Sequence, residues 1–526
     1  MKKITFLLIN WIIVLWLPAQ NQDWEVYIGT STLDESPSDI LEYYDKGYVL
    51  AAGNDNHGMS IKTGINGNAL YTKYFSHNNA ILRPWAVAAD SAGNVYFTGP
   101  IFINNTSWPF VIKFDSCGEK LWCRNFPDYQ CHGGGAMDVL INENNEIILL
   151  AEYTDDIGPA NVYLIGMSED GDVLWKRHYA KKENYPLMVN PVPYDLLELN
   201  NEYYIAGYCY YPFPNNPNHV YLRPLFIGID NEFKEKWVLP FYKLDSIFGW
   251  AERIIPLNDS VIMGVGIRKY YDNQDYSLLA FFKTNGEELG YNQITNEQIG
   301  TNILNNYIQD IKRINETQFL AAAPFGTATS LNPIGEFIID TAANLYNFHS
   351  RPNTQSKPRM VKTFDNNFVI STNIKTSPTN WDIYLFKINA NLESVPFDTS
   401  QRVYDSLCPH TIQSGTVDLT DCLVVTSIHD APSPEQYYES IRWIPIKVFP
   451  NPVKEGKVTF EFENTDHHPN MELRVYNIFG SEISRQRIYR SQQAAEMDVT
   501  AWLAGIYLAV IFSNGGAVGR VKFVVE

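Results

Sequence analysis

The stretch 40–53 reads ILEYYDKGYVLAAG. An apolar run enters a polar Asp-Lys-Gly centre and leaves as a second apolar run. That is two short strands joined by a tight turn, because Asp and Gly supply the local hydrogen bonds and positive φ that turns require. The pattern returns as WAVAADSAGNVYFTG (85–99), DVLINENNEIILLAE (138–152), DLLELNNEYYIAGY (195–208), RIIPLNDSVIMGVG (253–266), DIKRINETQFLAAA (310–323) and MVKTFDNNFVISTN (360–373). The turns begin near Asp45, Asp90, Asn142, Asn200, Asn258, Asn315 and Asp365, at spacings of 45, 52, 58, 58, 57 and 50 residues.

A second hairpin follows each first one, clearest in FVIKFDSCGEKLWCRNF (110–126), VYLIGMSEDGDVLWKRHY (162–179) and LFIGIDNEFKEKWVLPF (225–241). Trp122, Trp175 and Trp237 sit at matching places in these copies, where an aromatic ring would pack on the next unit. Two hairpins make a four-stranded unit. Seven units at a period near 53 residues predict an all-β fold, a seven-bladed β-propeller over residues 20–394. WEVYIGT (24–30) repeats the Trp-led pattern but has no partner strands of its own. It is expected to supply the outer strand of the last blade and so lock the two ends of the ring together.

Composition agrees. The 526 residues include 33 Tyr, 28 Phe and 12 Trp, which suit pleated surfaces, and 32 Gly and 29 Pro for turns. The net charge of -19 argues against nucleic-acid binding, which needs a basic face. The chain starts with Lys2 and Lys3, an apolar run from Ile4 to Leu17 and a small Ala19. This reads as a signal peptide over 1–19, too short to span a bilayer, and no later segment predicts a transmembrane span in the mature chain.

From VFPNPVKEGKVTFEFE (448–463) onward the 53-residue echo stops. Strand and turn alternate to the end, predicting a small Ig-like β-sandwich over 446–526. Nine Lys and Arg balance nine Asp and Glu there, so the acidity lies upstream. Four features come in order: Val448-Phe449-Pro450-Asn451-Pro452, Val475-Tyr476-Asn477 leading to Gly480, Leu503-Ala504-Gly505-Ile506-Tyr507-Leu508, and Gly519-Arg520-Val521-Lys522-Phe523. With them the segment resembles the type A C-terminal sorting domain of the Bacteroidetes type IX secretion system, departing at Asn477, where that family commonly has Asp. The resemblance implies a partner, the secretion machinery, and a route. The signal peptide takes the chain across the inner membrane, and the sorting domain addresses it to the outer-membrane translocon. That domain is usually removed, and the cargo is released or held at the cell surface. Pro450, Asn451, Pro452, Gly480, Gly505, Tyr507 and Lys522 would carry the signal.

Between the two lies a linker, 395–445. Of six cysteines, Cys408 and Cys422 bracket part of it and are expected to bridge each other. The pairing of Cys117, Cys123 and Cys131 is open, and Cys209 reads as a buried thiol.

No metalloprotease, P-loop, nucleophile-elbow or dinucleotide motif is present. CHGGG (131–135) reads as a flexible loop, and MSEDGDVLW (167–175) as a structural turn. NDNHG (54–58) and DNQD (272–275) are candidate calcium turns; otherwise no cofactor is expected and the metal question is open. Aromatic-rich connections suggest a ligand face. Tyr210, Tyr211 and Phe213, kept out of regular ladders by nearby prolines, with Trp250 and Trp108, are the candidate ligand-binding residues. The leading expectation is a secreted or surface-held module binding glycan or protein. The alternatives are a glycan-active hydrolase or lyase using channel carboxylates, and a purely structural surface protein.

Overall fold

The structure is a computed structural model. It describes residues 23–526 except 78–79, 129–130, 156–159, 214–215, 242–247, 270–274, 296–297, 299–305, 326–332, 405, 409, 426–444, 455, 463–470, 478–480, 490–491 and 514–515. The leader at 1–19, most of DNQD and the sorting residue Gly480 lie outside the described residues. The chain forms two units, 1–430 and 431–526. Among the described residues no helix is long and apolar enough to cross a membrane.

Among the described residues the first unit holds seven sheets in chain order, each built on four antiparallel strands. The first sheet, for example, runs Glu35–Glu42, Tyr48–Asn54, Gly58–Thr63 and Ala69–Ser76. Every turn read from the repeat joins the first and second strands of a sheet. The turns form because one side chain satisfies several amides at once: Asp90 Oδ1 accepts from the amides of Ala92 and Asn94, both at 2.9 Å, and Asp115 does the same for Cys117 and Glu119 in the second hairpin of that sheet. MSEDGDVLW closes as such a turn, between Ala160–Met167 and Val173–Tyr179.

The middle strands are covered on both faces, and alternate side chains go to different cores. Ile147, Leu149 and Ala151 join the core shared with the second sheet. Ile148 and Leu150 join the one shared with the fourth. Further cores link the fourth sheet to the fifth, the fifth to the sixth and the sixth to the seventh. Tyr48 and Leu50 of the first sheet meet Val369 and Leu385 of the seventh in one more.

The N-terminal strand behaves as the sequence predicts. Glu25–Ile28 pairs antiparallel with Asn380–Ile388 as the fourth strand of the seventh sheet. Trp24, just before it, is 1% exposed, and its indole N–H donates to the Ile65 carbonyl at 2.9 Å. Its ring lies on Gly67, whose φ of +77° and missing Cβ make room for it. Trp122 and Trp237 make the same contact one sheet onward, donating to the carbonyls of Glu169 and Thr284. Trp175 lies against Phe233, with ring centroids 4.1 Å apart.

The cysteine expectation is overturned. Cys408 and Cys422 do not bridge each other: Cys408 joins Cys117, and Cys422 joins Cys123. The reason is strand addition. Gly415–Asp418 lies parallel to Ala69–Ser76 of the first sheet, and Leu423–Val424 parallel to Lys120–Asn125 of the second. These pairings hold each linker cysteine beside a cysteine of the second sheet or its turn, so 415–424 straps two sheets rather than running as a free linker. Cys209 is a buried thiol, as read, and Cys131 is unbridged.

The second unit has a three-stranded sheet (Ile446–Phe449, Lys457–Phe462, Ala494–Asp498) and a four-stranded one (Met471–Asn477, Glu482–Arg487, Gly505–Ser513, Gly516–Val525) over one core. Asn451, between Pro450 and Pro452, uses its side-chain oxygen to accept the Val524 amide at 3.0 Å. Tyr507 is buried against Phe523, and its hydroxyl donates to the Leu503 carbonyl at 2.7 Å. Gly505 opens its strand, and Lys522 is exposed.

Candidate functional site

The first strands of the sheets lie side by side in order, with Glu35–Glu42 beside Thr354–Lys362. In five of them the register shifts just before one charged residue: Asp39, Asp138, Asp195, Arg253 and Arg359. Such bulges re-aim side chains. Asp310 holds the corresponding place in the sixth sheet.

Four of these carboxylates lace neighbouring sheets together. Asp39 accepts the Val87 amide at 3.0 Å, Asp138 that of Leu196 at 2.9 Å, Asp195 that of Ile254 at 2.8 Å and Asp310 that of Met360 at 2.7 Å. Arg253 binds Asp195 at 2.7 Å and approaches Asp310 at 3.9 Å. The charges set one another. Burial and the neighbouring Asp195 charge push Asp138 up to about 7, against the pull of Arg253. Burial would raise Asp310 too, but Lys312, Arg253 and Arg359 hold it below the usual carboxylate range.

Above this lattice is a cavity of about 460 Å³ lined from six of the seven sheets. Trp85 and Tyr194 supply rings, and Glu252, Arg253, Lys357 and Arg359 supply charge. Glu252 is 4% exposed and accepts the Trp250 indole N–H at 2.8 Å. Lys357 stands 3.9 Å from Glu252, and its ammonium lies 5.7 Å from the Tyr194 ring centroid. Tyr194, Tyr208 and Tyr210 form a run of rings, with successive centroids 5.6 and 6.2 Å apart. Burial raises the Tyr194 and Tyr208 hydroxyls first, and the nearby charges, Glu252 for Tyr194 and Glu152 for both, raise them further. Burial pushes Glu152 itself up to about 7.

The sign of that last shift gives a test. The folded state favours protonated Glu152, so its contribution is complete below the ordinary glutamate pKa and is lost as pH rises through about 7. The shift corresponds to roughly 3 kcal/mol. Glu152→Gln should therefore flatten the fall of stability between pH 4.5 and 8, read as urea midpoints across that range. Parallel profiles for both proteins would show that Glu152 is not buried as described.

Of the candidate ligand residues, the structure brings Tyr210 and Trp250 to this cavity's surroundings. Tyr211 points to the opposite face and packs on the core between the third and fourth sheets. Trp108 is buried, 7% exposed, which overturns its reading as a ligand residue: both faces of its strand are covered. The side chain of Phe213 lies outside the described residues. The prolines do not keep this segment out of a ladder. Tyr210 and Tyr211 pair with Leu222 and Tyr221, and Pro212 lies past the last pairing with the preceding strand, where no amide is needed on that side.

CHGGG is not a loop either. It begins the first strand of the third sheet, Cys131–Ile141, and Gly135 leaves room for the Trp85 ring. In the calcium candidate 54–58, the Asn54 side-chain oxygen accepts the amides of Asn56 and His57. Among the described residues no cluster of His, Cys, Asp and Glu is arranged to hold a metal. Sequence reasoning missed Trp85, Tyr194, Glu252, Lys357 and the Asp lattice. Their signal was present, since repeats three, four and six open on Asp and the fifth on Arg.

Residues 447–526 match the family described as a secretion system C-terminal sorting domain. The chain thus carries a type IX secretion sorting domain after a propeller-like β region, which makes it a secreted or cell-surface protein. No curated protein matches the chain in sequence. Among solved structures it is similar to an ulvan lyase (9% identity, 69% of this chain and 96% of that one, TM-score 0.44). It is also similar to virginiamycin B lyase from Staphylococcus aureus (13%, 57% and 83%, 0.33). A third is the extracellular domain of a hybrid two-component system of B. thetaiotaomicron (11%, 93% and 67%, 0.26).

Proposed function

We propose that the seven sheets are blades of a closed seven-bladed β-propeller, delivered by an Ig-like sorting domain after a cleaved leader, and that the propeller binds a glycan or a protein at one mouth of its channel. Support for closure comes from the core between the seventh and first sheets and from Trp24, which repeats between them the contact made by Trp122 and Trp237. The observation that carries the binding reading is the cavity itself. It is of ligand size, and two aromatic rings stand beside ionic groups. Rings of this kind stack on sugar faces and anchor protein partners.

The test is a screen of the purified protein on glycan and protein arrays, repeated with Trp85→Ala and Tyr194→Ala. A ligand should appear whose affinity falls at least tenfold in both variants. Unchanged binding in both would place the site elsewhere. A second reading, a glycan-active hydrolase or lyase, is favoured by one observation: Glu152, raised to about 7, and Glu252 both act on Tyr194. Shortened chains released from the bound glycan, and abolished by Glu152→Gln, would establish it. Ligand that stays intact through prolonged incubation would rule it out.

A further inference from the structure

The wall of the cavity contributed by the seventh sheet is cationic, in a chain of net charge -19. Lys357 and Arg359 are two residues apart on one strand and both line the cavity. Among the described residues, neither donates a hydrogen bond to a carboxylate. The carboxylate nearest Lys357 is Glu252 at 3.9 Å, beyond hydrogen-bond reach. One Arg359 amino group donates to the Gln309 carbonyl at 2.9 Å, a neutral partner, and its Nε is buried with no hydrogen-bond partner. Asp310, Glu252 and Asp39 pull on Arg359 only from a distance: the hydrogen bonds that Arg359 donates among the described residues go to the Gln309 and Pro358 carbonyls, and these acids accept from Met360, Trp250 and Val87 instead.

We propose that this mouth selects an acidic sugar, whose carboxylate or sulfate lies against Lys357 and Arg359 while its ring stacks on Trp85 or Tyr194. The proposal rests on the binding reading above and names its ligand class. Guanidinium and ammonium groups are the usual partners of such anions, and binding would put an anion in direct contact with two cations that donate no hydrogen bond to a carboxylate. The two cations already work against each other. Burial and the charge of Arg253 lower Arg359; against the pull of Glu252, the setting of Lys357 in the cavity and both arginines together leave its ammonium lowered. An enclosed cavity beside two rings favours a sugar over an acidic peptide strand, which needs a sheet edge or a broad face.

The experiment is calorimetry on the full chain with four probes: tetragalacturonate, its methyl ester, a sulfated chondroitin tetrasaccharide and polyglutamate. At least one acidic saccharide should bind ten times more tightly than the neutral ester, with affinity falling as salt rises. Lys357→Met should reduce that preference to less than threefold. The Lys357 side chain stands in the open cavity and is 57% exposed, so this change should leave the fold intact, which the urea midpoint checks. Arg359→Lys keeps the charge but loses the planar fork, and should separate carboxylate from sulfate preference. Equal binding of the ester overturns the proposal and leaves the binding reading standing. Binding of polyglutamate alone overturns it in favour of a protein partner. Silence from all four overturns it, and array hits then decide the broader reading independently.

Discussion

Trp24→Ala is expected to lower the stability of the first unit by about 3–5 kcal/mol, the range for emptying a large buried aromatic site. The side chain is 1% exposed and touches Tyr48 and Phe397 as well as Gly67. Its removal also strips the Ile65 carbonyl of its indole donor. Gly67 cannot fill the space, because it has no side chain to move. Around Trp24 the backbone is doubly tied: its amide donates to the Val395 carbonyl, and its own carbonyl accepts from Lys387. Trp122→Ala is the control. That ring makes the corresponding contact on Gly171 but is only partly buried, so its loss should cost clearly less. Urea unfolding followed by circular dichroism reads both. Equal and small losses would mean that the N-terminal strand does not fasten the first sheet to the last.

The second large effect concerns the strap. Cys117–Cys408 closes a loop with a sequence separation of 291 residues. In the chain-entropy account such a bridge contributes about 6 kcal/mol, through the unfolded state. Cys123–Cys422 then closes only a further loop of about 20 residues and adds roughly 3 kcal/mol. Cys408→Ser with Cys422→Ser should therefore produce a large fall in melting temperature, and reductant should lower the natural protein toward the same value. Cys422→Ser alone should give the smaller part. Peptide mapping without reductant gives the independent check: a fragment joining 408 to 422 would overturn the strap.

The legible parts of this fold share a cause. A hairpin announces itself locally, through an Asp or Asn turn between apolar runs, and seven such units announce a period. Trp24 was readable because it repeats a pattern whose role Trp122 and Trp237 already suggest. The disulfides were not readable. Pairing by nearness along the chain chose Cys408 with Cys422, whereas two short parallel strand additions, which leave no periodic trace in 402–425, bring each to another sheet. Tyr211 and Trp108 were misjudged because an aromatic residue in a strand faces one side or the other, and here both faces can be covered. The cavity was hidden for a different reason. Its lining changes type from sheet to sheet, Trp85 on the second, Met137 on the third, Tyr194 on the fourth, Glu252 on the fifth and Lys357 on the seventh, so no period marks these residues as neighbours even though the adjoining charged position recurs.

Protease attack is the ordinary hazard outside a cell, and the strap changes its arithmetic. A single cut anywhere between Cys123 and Cys408 falls inside both covalent loops. The two pieces remain joined by two bridges, and the severed sheets stay held in each other's company. A cut between Cys117 and Cys123 or between Cys408 and Cys422 still leaves one bridge, so only a cut before Cys117 or beyond Cys422 separates material covalently from the body. The connection leading to the sorting domain is on the outside, beyond Cys422, where one cleavage frees the tag and leaves the cargo whole.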